Sequence, residues 1–358
     1  MSGALLPEVR SIVALRPGAI GDAMFALPAL QALRHAYPEA HIVLIGKPWQ
    51  AAFFAGRPGP VNEVLVMPPY PGIGLPPAAA LDAQASAFVE MLRARRFDLA
   101  LQLYGGGRYS NPFVKRFGAR LCVGTATPDA VRLDRTIACR PHANHRLMLL
   151  QVAALAGAVP CIRAPELAVT QDDLAQAGAV LPPRAGERIV VLHPGASDPR
   201  RRWAPERFAA VADALAERGA TIVLSASRDE APIAQAVVSR MRQPVAPLAG
   251  KLTLRGLCGM LARACMILSN DTGPLHMALA VGTPAVGIFW HTNLVESGPL
   301  QPHLLSPAVS ACVRCPVCGA GNRFARCDHD VSFVDDIETD EVLGMALEVY
   351  EGTCAGGS

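Results

Sequence analysis

Residues 11–38 read SIVALRPGAIGDAMFALPALQALRHAYP. The run SIVALR is short and apolar enough for a buried strand, PGAIGD is a glycine turn, and the remainder has the spacing of an amphipathic helix. Strand, tight turn and helix in that order open a parallel sheet with helices on its faces. The same grammar continues outward. HIVLIG, NEVLVMP, DLALQLY and ARLCVGT read as strands, while FVEMLRARRF and RLMLLQVAALAGA read as helices. At residues 180–188 the chain becomes rich in Pro and charge, VLPPRAGER, which reads as a linker. Strand and helix then start again with IVVLHPG and PERFAAVADALAERG, followed by TIVLSAS, EAPIAQAVVSRM, TLRGLCGMLARA, MILSN, GPLHMALAVG and AVGIFW. TDEVLGMALEVY predicts a final helix that packs back on the first domain. The expectation is an α/β chain of two doubly wound, Rossmann-like domains, 1–180 and 181–358, facing a central cleft. Ligands belong near the carboxyl ends of the strands.

Composition supports this and excludes other classes. The 358 residues are 51% hydrophobic and 18% charged, too apolar for a disordered chain. No run approaches the roughly 20 apolar residues of a membrane span, and no basic, apolar leader opens the chain, so a cytoplasmic address is expected. Net charge is +3, too small to argue for nucleic acid. Before residue 181 there are 17 Lys and Arg against 12 Asp and Glu; after it, 16 against 18. An acidic partner for the first half and a merely solvated surface account for that difference equally.

Four loops carry candidate chemistry. PGAIGD fails the dinucleotide fingerprint and lacks a P-loop ending; Gly18 and Gly21 permit the turn. Asp22 is either a helix cap or a carboxylate free to accept a proton from a hydroxyl. In HPGASDPRRRWAPERF, residues 193–208, the arginine run including Arg201 either clamps phosphates or is a solvated surface, and Ser197 donates to a phosphate or caps a turn. In SASRDEAP, Asp229 or Glu230 suits a ribose, or caps a helix. SNDTGPLHM, residues 269–277, sits where a strand ends and a helix begins. There Asp271 and Thr272 precede the helix, and Gly273 and Pro274 open it with outward N–H groups. That end is suited to a diphosphate, with His276 as a further donor.

Ten cysteines without a secretion signal predict mostly free thiols. Cys122, Cys139, Cys161, Cys258, Cys265 and Cys354 are scattered; Cys312, Cys315, Cys318 and Cys327 are crowded, with His329 close by. Cys-x-x-Cys spacing lets thiolates share one ion, so the four cysteines are expected to hold a structural zinc. Iron or an Fe–S cluster, and metal-free thiols, are the alternatives.

The stretches LRPGAIGDAMFALPALQALRHAYPEAHIVLI, HPGASDPRRRWAPERFAAVADALAERGATIVL, LAGKLTLRGLCGMLARA and SNDTGPLHMALAVGTPAVGIF, in this order, resemble glycosyltransferase family 9, the ADP-heptose heptosyltransferases of lipopolysaccharide core synthesis. The resemblance implies a GT-B fold, an ADP-sugar held by the C-terminal domain and an acceptor held by the N-terminal one. It implies inverting transfer with no metal or other cofactor at the reaction centre. Asp22 matches the family's general base, and Arg201 stands where the family has lysine. Asp271, Thr272, Gly273 and His276 match the donor motif. The acceptor implied is a glycolipid or other hydroxyl compound at the inner-membrane surface. After GIF the chain departs from the family with WHTNLVESGP, so Trp290 and His291 are expected to alter the wall beside the donor sugar. A different nucleotide sugar with a protein or small-molecule acceptor, and a noncatalytic sugar-nucleotide scaffold, are the rival readings.

Overall fold

A computed structural model describes residues 4–160, 166–321 and 326–355. The chain divides into two compact units, Met1–Ala168 and Val169–Ser358.

The first unit runs β1 (Ser11–Leu15), α1 (Ile20–Ala36), β2 (His41–Gly46), α2 (Pro48–Phe54), β3 (Glu63–Val66), a two-residue pair β4 (Tyr70–Pro71) and β5 (Gly74–Leu75), α3 (Ala83–Ala94), β6 (Leu99–Gln102), α4 (Ser110–Lys115), β7 (Leu121–Ala126), β8 (Arg135–Ala138) and α5 (His145–Leu155). Its sheet has the order β3-β2-β1-β6-β7-β8 and is parallel throughout. Helices cover both faces, so the inner strands are continuous apolar runs: Ile12 through Leu15 are fully buried. Val13, Leu15, Val43 and Ile45 meet Phe113 and Phe117 in one core. The order reverses between β1 and β6, which marks the carboxyl ends of those two strands as the ligand position of this sheet.

The second unit repeats that layout. It runs α6 (Gln171–Val180), β9 (Ile189–His193), a 3-10 turn (Pro199–Arg201), α7 (Pro205–Ala216), β10 (Thr221–Leu224), α8 (Ala231–Val238), β11 (Val245–Pro247), α9 (Leu254–Arg263), β12 (Ala264–Asn270), α10 (Gly273–Val281), β13 (Ala285–Trp290), α11 (His291–Ser297), β14 (Leu305–Ser310) and α12 (Thr339–Ala355). The order is β11-β10-β9-β12-β13-β14, again parallel, with the reversal between β9 and β12. The terminal helix α12 packs into this unit's own core through Tyr350, whose ring lies under Arg188 at 3.6 Å.

The expected division at 180/181 is corrected to 168/169. α6 belongs to the second unit because it lies against α9 at van der Waals limit: a Cβ on Gly259 would stand 2.1 Å from the Asp173 carbonyl oxygen. Arg263 Nη1 donates to Leu181 O at 2.7 Å across the same pair. VLPPRAGER is therefore an exposed turn inside the second unit, between α6 and β9.

The eight described cysteine side chains are free thiols. Cys161 and the side chain of Cys354 lie outside the described residues. Among the described residues no helix is long and apolar enough to cross a membrane.

Candidate active site

In the first unit, β1 ends at the sheet's reversal and Arg16 follows it. Its guanidinium is buried and fully engaged. Nη2 donates to Asp22 Oδ1 at 2.8 Å, Nε donates to Asp22 O at 3.0 Å, and Nη1 donates to Leu103 O just past β6. Burial lowers the Arg16 pKa, and the Asp22 charge opposes that shift. Asp22 is the third residue of α1, not its cap. Ala19 holds the cap position, and its N–H donates to Asp22 Oδ2 at 2.9 Å. The carboxylate side chain stays 39% exposed, so both oxygens are anchored and solvent still reaches the group. Gly18 is required for this: a Cβ there would lie 2.3 Å from Asp22 Cβ. Trp49 Nε1 donates to Gly18 O and Gln50 Nε2 to Arg16 O, fixing the turn from α2. Gly21 is buried in the first turn of α1.

In the second unit the loops after β9 and β12 are tied together. Asn270, buried at the end of β12, accepts the Trp203 N–H at 3.1 Å and donates to Pro194 O at 2.8 Å. Arg201 Nη1 donates to Asp271 O at 3.1 Å and Oδ2 at 3.2 Å, and Nη2 donates to Ser197 Oγ at 3.0 Å. Asp271 is almost fully buried and also accepts from His276 Nε2 at 2.9 Å, Asn293 Nδ2 at 2.8 Å and Ser297 Oγ at 3.2 Å. Burial alone would raise its pKa. The hydrogen bond and charge of His276, then Arg201 and Asn293, outweigh burial and hold the carboxyl below the usual carboxylate range. Thr272 is the cap residue of α10, Gly273 and Pro274 its first two helical residues, and the Thr272 hydroxyl makes no cap bond.

The surroundings of three expected residues are supplied by the fold. His276 is 3% exposed and its Nε2 donates to Asp271 Oδ1 at 2.9 Å, so it braces the loop from within. Asp229 is exposed and has no hydrogen-bond or ion-pair partner among the described residues. Its neighbour Glu230 reaches back over the β9 turn: a Cβ on Gly195 would meet Glu230 Oε1 at 2.2 Å, and Ser227 fixes the carboxylate through N and Oγ. Trp290 packs beneath the loop, with the Arg200 guanidinium 5.9 Å from its ring. Its ring is buried against Phe333, with centroids 5.0 Å apart. The departing WHTNLVESGP segment acts on the site through Asn293 and Ser297 of α11.

The cysteine cluster folds with a corrected set. Ligand atoms of Cys315, Cys318, Cys327 and His329 all lie within 4.8 Å of one another. Gly319 in the left-handed region lets the chain turn between them, with Gly319 N on Cys315 O and Cys315 N on Ala320 O, each 2.9 Å. Cys312 is outside the group, and its thiol donates to Arg314 O at 3.2 Å. His329 Nδ1 is buried without a hydrogen-bond partner. The Ala320 N–H favours a Cys318 thiolate, but burial and the sulfurs of Cys315 and Cys327 prevail and raise its pKa, a crowding that a shared cation relieves. These residues fit a four-coordinate metal.

Arg16, Asn270, Asn293 and Ser297 carried no signal in the sequence, whereas Glu230 is weighed there with Asp229 for the ribose and His329 is noted beside the cysteines.

The family model for glycosyltransferase family 9 (heptosyltransferase) matches residues 85–309. Lipopolysaccharide heptosyltransferase 3 of Escherichia coli is 32% identical over 125 residues, covering 34% of this chain and 36% of its own length. The lipopolysaccharide core heptosyltransferase OpsX of Haemophilus influenzae is 23% identical over 303 residues, covering 81% and 82%. The structure of E. coli ADP-heptose lps heptosyltransferase II superposes with TM-score 0.74 and 20% identity over 96% of this chain and 99% of that one. The iron-containing dodecameric glycosyltransferase TibC of enterotoxigenic E. coli H10407 gives 0.58 and 13%, over 98% and 78%. At these identities the structural likeness is one of fold. Two parallel sheets of this order define a GT-B glycosyltransferase architecture. The chain belongs to glycosyltransferase family 9 and is a glycosyltransferase.

Proposed function

We propose that the enzyme moves a heptose, with inversion, from an ADP-sugar to a hydroxyl of a lipopolysaccharide-core-type acceptor. One observation carries the donor half: Arg201 joins the two loops at the reversal of the second sheet, beside the N-terminus of α10, where a diphosphate finds backbone N–H groups and positive charge. Arg201, Thr272 and the start of α10 receive the charge that develops on the departing diphosphate. Ser197 supports Arg201, and Glu230 rather than Asp229 takes the ribose hydroxyls. Asp271 and His276 hold this arrangement from below. In the first unit, Asp22 removes the acceptor hydroxyl's proton as that oxygen attacks the anomeric carbon. Cys315, Cys318, Cys327 and His329 hold a structural zinc, with iron as the alternative, and none of them takes part in the transfer. The enzyme works in the cytoplasm, at the inner-membrane surface where a glycolipid acceptor is presented.

Calorimetry with ADP, UDP and GDP tests the donor. ADP binds most tightly on this reading, and UDP binding more tightly than ADP would sink it. Arg201→Ala then weakens ADP binding by roughly 1–3 kcal/mol, the scale of a charged hydrogen bond. An unchanged affinity would return the arginine run to the solvated surface.

A further inference from the structure

We propose that the metal knuckle is the mount of the donor-phosphate loop, so that metal loading at Cys315, Cys318, Cys327 and His329 sets the position of Arg201 and with it the affinity for ADP. The inference rests on the donor reading above and goes beyond a purely structural metal.

The path is short and made of direct bonds. Immediately after His329 the chain forms a strap, residues 331–337, along the loop that carries Arg201. Phe333 N donates to Arg200 O at 2.7 Å, and Ser332 Oγ donates to Arg202 O at 2.7 Å. These two bonds straddle Arg201 and take the carbonyls on either side of it, which leaves its side chain directed to Asp271 and Ser197. Further along, Ile337 O accepts from Trp203 Nε1 at 3.0 Å and from Arg207. The strap is also fixed behind: Ser310 Oγ at the end of β14 donates to Phe333 O at 2.5 Å, and the Cys312 N–H donates to the same hydroxyl at 3.1 Å.

Side chains reinforce the backbone path. Phe333 is 1% exposed and meets Trp290 edge to face. The Arg200 guanidinium lies 5.8 Å from the Phe333 centroid and 5.9 Å from that of Trp290, while Asp198 grips it through Nε and Nη2. Arg200 and Phe333 are thus positioning residues: neither reaches toward a ligand, and both fix the backbone from which Arg201 does. Trp290 is buried by the same contact.

The knuckle joins the second unit's core at one buried ligand, Cys315, with Cys327 and Val331 packed beside it. Cys318 is exposed, Val317 is 58% exposed, and only Cys315 is buried among the four ligands. An ion shared by the four ligands would tie the exposed Cys318 and the half-buried His329 to the buried Cys315. Binding energy at such a site is folding energy for the segment it closes.

The test compares metal-loaded protein with protein stripped by a chelator, titrating ADP by calorimetry well below the melting temperature and following hydrogen exchange at residues 198–203. Stripping lowers ADP affinity roughly tenfold or more, the range found when outer supports of a site are lost, and exchange in the loop rises. Phe333→Ala covers the case in which stripped protein unfolds: loaded with metal, it keeps its ion and still loses ADP affinity. In an Arg201→Ala background, stripping costs little more. Unchanged ADP affinity, in folded stripped protein or in the loaded Phe333→Ala variant, overturns the mount and leaves the knuckle a local staple. Loaded wild-type protein that binds no ADP overturns the donor reading and the mount with it, which separates the two failures.

Discussion

Asp22 holds Arg16 on one oxygen and the Ala19 N–H on the other, so its replacement tests two things at once. Asp22→Asn keeps an acceptor for Ala19 but can no longer take a proton, so transfer falls by roughly 10²–10⁴-fold. Sequence alone predicts an unchanged melting temperature, because asparagine caps as well as aspartate. The geometry changes that expectation. The variant leaves a buried guanidinium without its counter-charge, at a cost of about 1 kcal/mol, reduced from the buried-pair range because the carboxylate is 39% exposed. Turnover assays and melting curves on the Asn variant measure both, and full turnover would end the role given to Asp22. An acid at a helix start is visible in sequence, whereas Arg16 looks there like any cation closing a strand. His276 shows the converse: the Asp-Thr-Gly-x-x-His spacing was legible, but whether the ring turns outward or inward depends on Asp271 being buried beside it, which spacing does not encode.

Elements were read best where they are long and apolar, and missed where proline interrupts a strand at a sheet edge. β11 is Val-Ala-Pro and β14 contains Pro307; each sits at the end of its sheet, where proline's missing N–H leaves no ladder bond unmade. That composition reads as loop. α6 was missed for another reason: its apolar face is small, and its closest neighbour is a glycine. Gly259→Ala forces α9 away from Asp173 and should lower stability by roughly 1–3 kcal/mol, the usual cost of overpacking. Thermal unfolding reads this directly. A melting temperature equal to wild type would mean that the two helices are free to part.

At the scale of the molecule, the boundary at Ala168/Val169 makes a prediction about fragments. A fragment beginning at Val169 retains α6 and should melt cooperatively and bind ADP; one beginning at Leu181 strips the cover from α9 and should melt lower or aggregate. Equal melting of the two would restore the later boundary. Two domains of one architecture were legible because strand–turn–helix units recur on both sides of the break. The break itself was not, because the Pro-rich segment that advertises it is only a turn, and the true junction carries neither Pro nor Gly run. The central position of β1 and β9 matters during synthesis as well. Ile12 pairs with Ile42 on one side but with Leu99 on the other, and Val190 pairs with Ile222 and then with Met266. A ribosome working at about 5–20 residues per second leaves the far edge of β1 open for several seconds after its near edge is satisfied. Each nascent chain therefore displays an open apolar strand edge twice, and its yield in a cell should follow translation speed and chaperone supply more closely than the stability of the finished fold.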